Sequence, residues 1–145
     1  MKLTLRDAIL TAISYADIFD YPLTEEELGT WLPYRFSLKR PRLALRQAQG
    51  KRQGETLKQL QMGNVMYYSL RSVRRLYAAR QERALWSIEK WTRARRAARL
   101  LRAFPTIKLV GVTGGLTRSN ARQGDDIDFF IITAPKTLWV TRALA

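Results

Sequence analysis

The stretch "GGLTRSNARQGDDIDFFIIT", residues 114–133, contains the residues that decide the fold and the candidate chemistry of this chain. A glycine pair follows the apolar run "IKLVGV", and ten residues later two aspartates precede a second apolar run, "FFIIT". The β-branched and apolar composition predicts two β-strands, the first at residues 107–112 and the second over "DDIDFFIIT", residues 125–133. A short connection with one or two helical turns is expected to join them. The glycine pair predicts a tight turn at which the backbone can approach a ligand closely.

Asp126 and Asp128 are the candidate metal ligands. Side chains alternate along a strand, so both carboxylates are expected on one face, with Ile127 and Phe129 on the other. Asp125 is then expected to point away from the pair. Two carboxylates on one face can bind a hard cation such as Mg²⁺, whose remaining ligands come from substrate phosphates. A solvated turn leading into a core strand is the alternative interpretation, and both stay open at this point.

The spacing of this motif resembles the signature of the DNA polymerase beta-like nucleotidyltransferase superfamily. Its elements are an apolar strand, a glycine pair, ten residues and the sequence Asp-apolar-Asp-apolar. The whole chain looks like a group of uncharacterised bacterial nucleotidyltransferase-domain proteins with a helical N-terminal module. The segments on which this resemblance rests are "YADIFDYPLT", "KWTRARRAARLLRAFPTIKLVGVTGG" and "IDFFIITAPKTLWVTR".

The resemblance implies roles for the two aspartates. Asp126 and Asp128 would be the catalytic, Mg²⁺-binding pair that acts on a nucleoside triphosphate in a two-metal transfer of a nucleoside monophosphate. Family members that catalyse transfer use a third carboxylate on a later strand, and no Asp or Glu follows Asp128 here. We therefore expect either a fragment of a longer protein or a C-terminally truncated relative, and no turnover by residues 1–145 alone.

The resemblance also implies a phosphate site at the glycine pair. Gly114 and Gly115 would contact the phosphates of the nucleoside triphosphate through their backbone amides. The second position is often serine in the family, so a hydroxyl contact is missing here. Arg118 or Arg122 would add positive charge to the phosphate site.

Charge and amino-acid composition limit the classes of partner and of site that are expected for this chain. The net charge is +14, and residues 29–122 contain 22 Lys or Arg against only Glu55, Glu82 and Glu89. This distribution predicts a polyanion partner, such as a nucleic acid or a triphosphate, because such a field attracts phosphates. An arginine-rich, solvated surface is the alternative. The chain has no Cys and no His, which excludes a disulfide framework, a thiolate zinc site and a histidine base.

The first 70 residues predict a small module of helices and strands. Apolar residues at spacings of three and four predict a first helix that ends before Pro22. Thr24 and Glu27 form a capping box for a second helix, whose buried face contains Leu28, Trp31 and Leu32. A third helix is expected around residues 42–49, a further helical turn around 55–60, and a strand at 63–70 after a Gly-Asn turn.

This order is typical of a winged helix-turn-helix, and it suggests a second function. The third helix would contact DNA through basic residues, namely Arg40, Arg42, Arg46, Lys51 and Arg52. The alternative hypothesis is therefore a basic winged-helix DNA-binding protein with a vestigial nucleotidyltransferase half-domain. Winged helices also bind proteins, and a partner of the toxin–antitoxin type is a third, lower-ranked possibility.

Residues 71–103 contain no Gly or Pro and predict one long helix. Its predicted apolar stripe consists of Val73, Tyr77, Ala84, Ile88, Trp91, Ala98 and Leu101. The helix is either an amphipathic connector or a phosphate-binding surface that uses Arg93, Arg95, Arg96 and Arg99.

The expected fold class is thus α+β with three parts. These are a winged-helix-like module at 1–70, a basic connector helix at 71–104, and at 105–145 the first, incomplete part of a nucleotidyltransferase domain with a mixed sheet. The N-terminal sequence lacks the features of a signal peptide, and no apolar run is long enough to span a bilayer. We therefore expect a cytoplasmic chain without a transmembrane segment, and no feature predicts its oligomeric state.

Overall fold

The structure, a computed structural model, describes residues 4–32, Leu45 and residues 57–144. It is a mixed α+β fold with helices and small antiparallel sheets, which confirms the predicted α+β class. The chain divides into two compact units, Met1–Arg80 and Gln81–Ala145. Within the described ranges, no helix has both the length and the apolarity needed to cross a membrane.

The first unit combines helices with a three-stranded antiparallel sheet. Its elements are α1 (Leu5–Ile18), β1 (Leu23–Thr24), α2 (Glu25–Trp31), β2 (Lys58–Met62), β3 (Val65–Ser69) and the first turns of α3 (Val73–Leu101). The strand order is β1-β3-β2. The core of this unit includes Ile9 and Ile13 of α1, Leu23 of β1 and Leu28 of α2. The predicted third helix lies outside the described residues except for Leu45, which is helical and buried in this core.

Both N-terminal helices begin with a reciprocal capping box. The Thr24 hydroxyl accepts a hydrogen bond from the Glu27 N–H, and the Glu27 carboxylate accepts one from the Thr24 N–H. These bonds satisfy amides that the first turn of a helix leaves unpaired. The predicted capping box is confirmed, as is the burial of Leu28 and Leu32, whereas Trp31 is half-buried.

The predicted helical turn at 55–60 is wrong where it can be compared, because Lys58–Met62 is the strand β2. Residues 55 and 56 lie outside the described ranges. Met62 and Val65 are the last pair before a two-residue turn in which Gly63 has φ +57°. Glycine adopts positive φ without steric cost, so the turn and the pairing with β3 override the helix propensity of Lys, Gln, Leu and Met. The predicted strand at 63–70 is present as β3.

The second unit contains a two-stranded antiparallel sheet next to the remainder of α3. Its further elements are β4 (Ile107–Val112), a 3₁₀ helix (Gly114–Arg118), β5 (Phe129–Thr133) and α4 (Leu138–Leu144). The strand predicted at Ile107–Val112 is confirmed. A small apolar core of Ala94, Leu116 and Ala121 lies against half-buried side chains that include Val112 and Phe129.

The predicted long helix is present as α3, but its predicted apolar stripe is partly wrong. Ile88 is 67 % exposed. The side chains that α3 buries are instead Val73, Leu76, Arg83, Ser87, Lys90 and Ala94. Three of these six are polar, so the buried face cannot be recognised from hydrophobic periodicity alone.

Arg80 and Glu27 form a partly buried ion pair in the first unit. The Arg80 guanidinium donates to both Glu27 carboxylate oxygens, at 2.8 and 2.7 Å, and to the Pro22 carbonyl oxygen at 2.6 Å. It also stands 4.2 Å from the centre of the Tyr21 ring. Burial alone raises the pKa of Glu27, but the hydrogen bonds from Arg80, Tyr21 and Thr24 outweigh burial, so this pKa lies below its ordinary value.

We expect Glu27→Gln to lower the free energy of unfolding by about 2 kcal/mol at neutral pH, because the buried Arg80 charge loses its partner. The folded-state pKa of Glu27 is lowered, so its contribution is present above the ordinary value of 4.5 and is lost as the pH falls through the folded pKa. The difference between the native protein and the variant should therefore shrink in acid. Urea unfolding between pH 3 and 7 measures it.

Glu89→Gln is the matched control. Glu89 and Arg93 form an ion pair whose side chains are 66 % and 69 % exposed, so its loss should change the unfolding free energy by less than about 0.5 kcal/mol. Equal effects of the two substitutions would contradict a stabilising role for the Arg80–Glu27 pair.

Candidate functional site

The register of β4 and β5 brings the glycine pair next to the aspartates. Val112 pairs with Phe129, and the Thr113 N–H donates to the Asp128 carbonyl oxygen at 2.9 Å. The antiparallel ladder thus continues one residue beyond each strand. Gly114, the next residue along the chain, consequently stands beside Asp128.

Gly114 is in close contact with the Asp128 carboxylate. Its φ is +72°, and a Cβ atom at this position would lie 2.8 Å from Asp128 Oδ2. Only glycine allows both this backbone conformation and this approach. A Cβ atom at Gly115 would lie 3.2 Å from the Asn120 carbonyl oxygen, so any larger residue there would require a small shift.

The connection between the 3₁₀ helix and the aspartates is held by short-range contacts. Ser119 ends the helix with φ +52°, and the Asn120 N–H donates to the Gly115 carbonyl oxygen at 2.9 Å. Further along, the Asp125 carboxylate accepts a hydrogen bond from the Arg122 N–H at 2.7 Å. The chain therefore folds back from the glycine pair to the acidic residues without further regular structure.

An open cleft of about 410 Å³ lies at this place. It is lined by Thr113, Gly115, Leu116, Ala121, Gly124, Asp125, Asp126 and Asp128. The sequence-predicted residues Gly115, Asp126 and Asp128 thus come together, and Gly114 contacts Asp128. Arg118 is exposed at the end of the 3₁₀ helix and is not among the lining residues.

The second strand is shorter than the predicted strand at residues 125–133. Its partner β4 ends at Val112, which pairs with Phe129, so β5 begins only there. The aspartates precede the strand, and its strict alternation of side chains does not extend to them. Asp125 also lines the cleft, and its carboxylate accepts the hydrogen bond from the Arg122 N–H. That Asp125 points away from the pair stays a prediction.

The carboxylates of Asp126 and Asp128 suit a hard divalent cation. Both residues are exposed, and within residues 4–32, 45 and 57–144 neither carboxylate has a hydrogen bond or ion pair. No group of three or more His, Cys, Asp or Glu in those residues has the arrangement of a complete metal cage. Mg²⁺ is commonly held by one or two carboxylates, with waters and substrate phosphates as its other ligands. Two exposed carboxylates are ligands of the type that Mg²⁺ uses, and binding of Mg²⁺ here stays a prediction.

Sequence reasoning missed three polar residues of α3 that contact the segment leading to the aspartates. Lys90 Nζ donates to the Asp125 carbonyl oxygen at 2.5 Å, Ser87 Oγ accepts from the Ala121 N–H at 3.3 Å, and Arg83 donates to the Asn120 side chain at 3.2 Å. The only available signal was their spacing of four and three, which places them on one helix face.

A scan against protein-family models and searches of curated proteins and of solved structures all find no match for this chain. A functional assignment must therefore be argued from the geometry of the cleft.

We expect Gly114→Ala to displace the Asp128 carboxylate and to lower the free energy of unfolding by about 1–2 kcal/mol, because alanine is strained at positive φ and its Cβ meets Oδ2. Gly124→Ala is the control, since a Cβ atom there has no neighbour within 4 Å and its φ is not in the left-handed region. Thermal unfolding of both variants measures the difference. Equal unfolding temperatures would show that Gly114 does not constrain Asp128.

Proposed function

We propose that the second unit has a nucleotidyltransferase-type site that binds Mg²⁺ together with a nucleoside triphosphate. The observation that supports this most is the contact between the Gly114–Gly115 turn and Asp128, which follows from the register of β4 and β5. The spacing of glycines and aspartates is the one that the superfamily motif requires. In addition, the contact means that the glycine pair and the aspartates, which are the two ends of the motif, are neighbours in space.

Each element of that motif has a physical role in the proposal. Asp126 and Asp128 would hold Mg²⁺, which would supply neutralisation of the negative charge on the triphosphate. The glycine turn places backbone close to the phosphates, where a side chain would obstruct them. A cleft of this size falls within the range of about 300–1,000 Å³ that small-molecule sites occupy.

Binding, rather than transfer, is the activity that we propose for residues 1–145. Transfer in the superfamily that the motif resembles uses a third carboxylate on a later strand, and residues 129–145 contain no Asp or Glu. In a complete site the acceptor hydroxyl would be activated by that carboxylate.

The first unit is proposed to be a winged-helix-like module. Support comes from its order of helix, short strand, helix and hairpin, and from the pairing of the second hairpin strand with β1. The basic residues that would contact DNA, between residues 40 and 52, lie outside the described ranges. DNA binding by this module therefore stays a prediction of the sequence.

We expect the native chain to bind Mg²⁺-ATP weakly and the double variant Asp126→Asn plus Asp128→Asn to bind at least about tenfold more weakly, because neutral amides are poor ligands for Mg²⁺. Isothermal titration with Mg²⁺-ATP and the other triphosphates measures the affinity.

The double variant Glu82→Gln plus Glu89→Gln is the charge-matched control. It removes two exposed carboxylates from α3 and changes the net charge by the same amount. We expect its affinity to equal that of the native chain. Equal affinity of the native chain and the aspartate variant would refute the metal-binding role of Asp126 and Asp128.

A further inference from the structure

The second unit buries three polar side chains on one face of α3. Arg83, Ser87 and Lys90 are 8 %, 1 % and 9 % exposed. Their spacings of four and three place them in line along the helix. Apolar residues would fill such a face at lower cost, because burial of a cation carries a large desolvation penalty. The polar stripe therefore needs an explanation other than core stability.

All three side chains hold the segment that leads to the aspartates. Arg83 Nη1 donates to Asn120 Oδ1 at 3.2 Å. Ser87 Oγ accepts from the Ala121 N–H at 3.3 Å and donates to the Arg83 carbonyl oxygen at 2.7 Å. Lys90 Nζ donates to the Asp125 carbonyl oxygen at 2.5 Å. Contacts thus exist at both ends of residues 120–125.

The hydrogen bond from Lys90 restrains the peptide unit that leads into Asp126. The Asp125 carbonyl group and the N–Cα bond of Asp126 belong to one planar peptide unit. Fixing the direction of that carbonyl oxygen therefore also fixes the plane from which the Asp126 side chain projects. Hydrogen bonds from charged donors are stronger than those between neutral groups, so Lys90 restrains this plane more than a neutral donor could.

We propose that Arg83, Ser87 and Lys90 form a clamp on α3 that positions the acidic segment, with Lys90 as the positioning residue for Asp126. The consequence for metal affinity rests on the proposed function, whereas the restraint on residues 120–126 does not. Lys90 acts through the backbone and touches neither metal nor nucleotide.

In Lys90→Met, loss of the positive charge and loss of the positioning hydrogen bond have opposite expected effects on cation affinity. The direction of the change in affinity therefore distinguishes the two. Removing the Lys90 ammonium takes away a positive charge near the carboxylates, which by itself strengthens the attraction for a divalent cation. Loss of the clamp weakens binding, because the Asp126 carboxylate is no longer held in place. A loss of affinity in Lys90→Met therefore reports position and not charge.

The test uses the full chain with Lys90→Met and, as its matched control, Lys108→Met. Lys108 is also a lysine of the second unit that donates to a backbone carbonyl oxygen, that of Pro105 at 3.3 Å, but it is exposed on β4. Amide hydrogen exchange without metal should be about tenfold faster at Ala121–Asp126 in Lys90→Met, because a hydrogen bond from a charged donor is lost. Exchange in Lys108→Met should equal that of the native chain.

Mn²⁺ binding, followed by electron paramagnetic resonance, should be about tenfold weaker in Lys90→Met and not weaker in Lys108→Met.

If Lys90→Met does not fold, Ser87→Ala provides the same exchange test at the Ala121 amide. Native exchange at residues 121–126 in the folded variants would overturn the clamp. Mn²⁺ binding by Lys90→Met that is as tight as in a binding-competent native chain, or tighter, would overturn the role of Lys90 as the positioning residue for Asp126. Absence of Mn²⁺ binding by the native chain, with altered exchange in the variants, would refute the proposed function and leave the clamp supported.

Discussion

The antiparallel register of β4 and β5 is the constraint on which the second unit depends. A slip of one residue would exchange the two faces of β5, so that the half-buried Phe129 would replace the exposed Phe130 in solvent. Packing of Phe129 against the core of Ala94 and Leu116 opposes such a slip. The same register pairs Thr113 with Asp128 and thereby brings the glycine turn to the carboxylate. A hydrophobic contact on one side of the sheet thus determines the polar geometry at its end.

The two units are stabilised in different ways. The first has a continuous apolar core from α1, α2 and the sheet, and it adds a hydrogen-bonded ion pair between Arg80 and Glu27. The second has only three fully buried apolar side chains in its core cluster, within the described residues. So small a cluster contributes little free energy by burial, since burial scales with apolar area. Its polar contacts from α3 therefore have a larger share in defining one conformation of the acidic segment.

Sequence reasoning succeeded where the signal was local. The capping box at Thr24 depends on residues three apart, and β4 is a short run with three β-branched residues, Ile107, Val110 and Val112. It failed at β2, where residues with good helix propensity form a strand because a hairpin turn and a partner strand decide the outcome. The buried polar residues of α3 were missed because hydrophobic periodicity treats Lys90 as solvent-facing. For the candidate site, the spacing between the glycine pair and the aspartates predicted Asp126 and Asp128. The direction of an exposed side chain such as Arg118 cannot be derived from sequence.

The most direct test of a metal site at Asp126 and Asp128 is paramagnetic broadening of backbone amide NMR signals by Mn²⁺. Its effect falls steeply with distance, so the first signals to broaden mark the site. The proposed geometry predicts that the amides of Gly114, Gly115 and residues 126–129 broaden at the lowest Mn²⁺ concentration. Broadening that begins instead at the consecutive carboxylates Glu25–Glu27, or that is uniform along the chain, would contradict it.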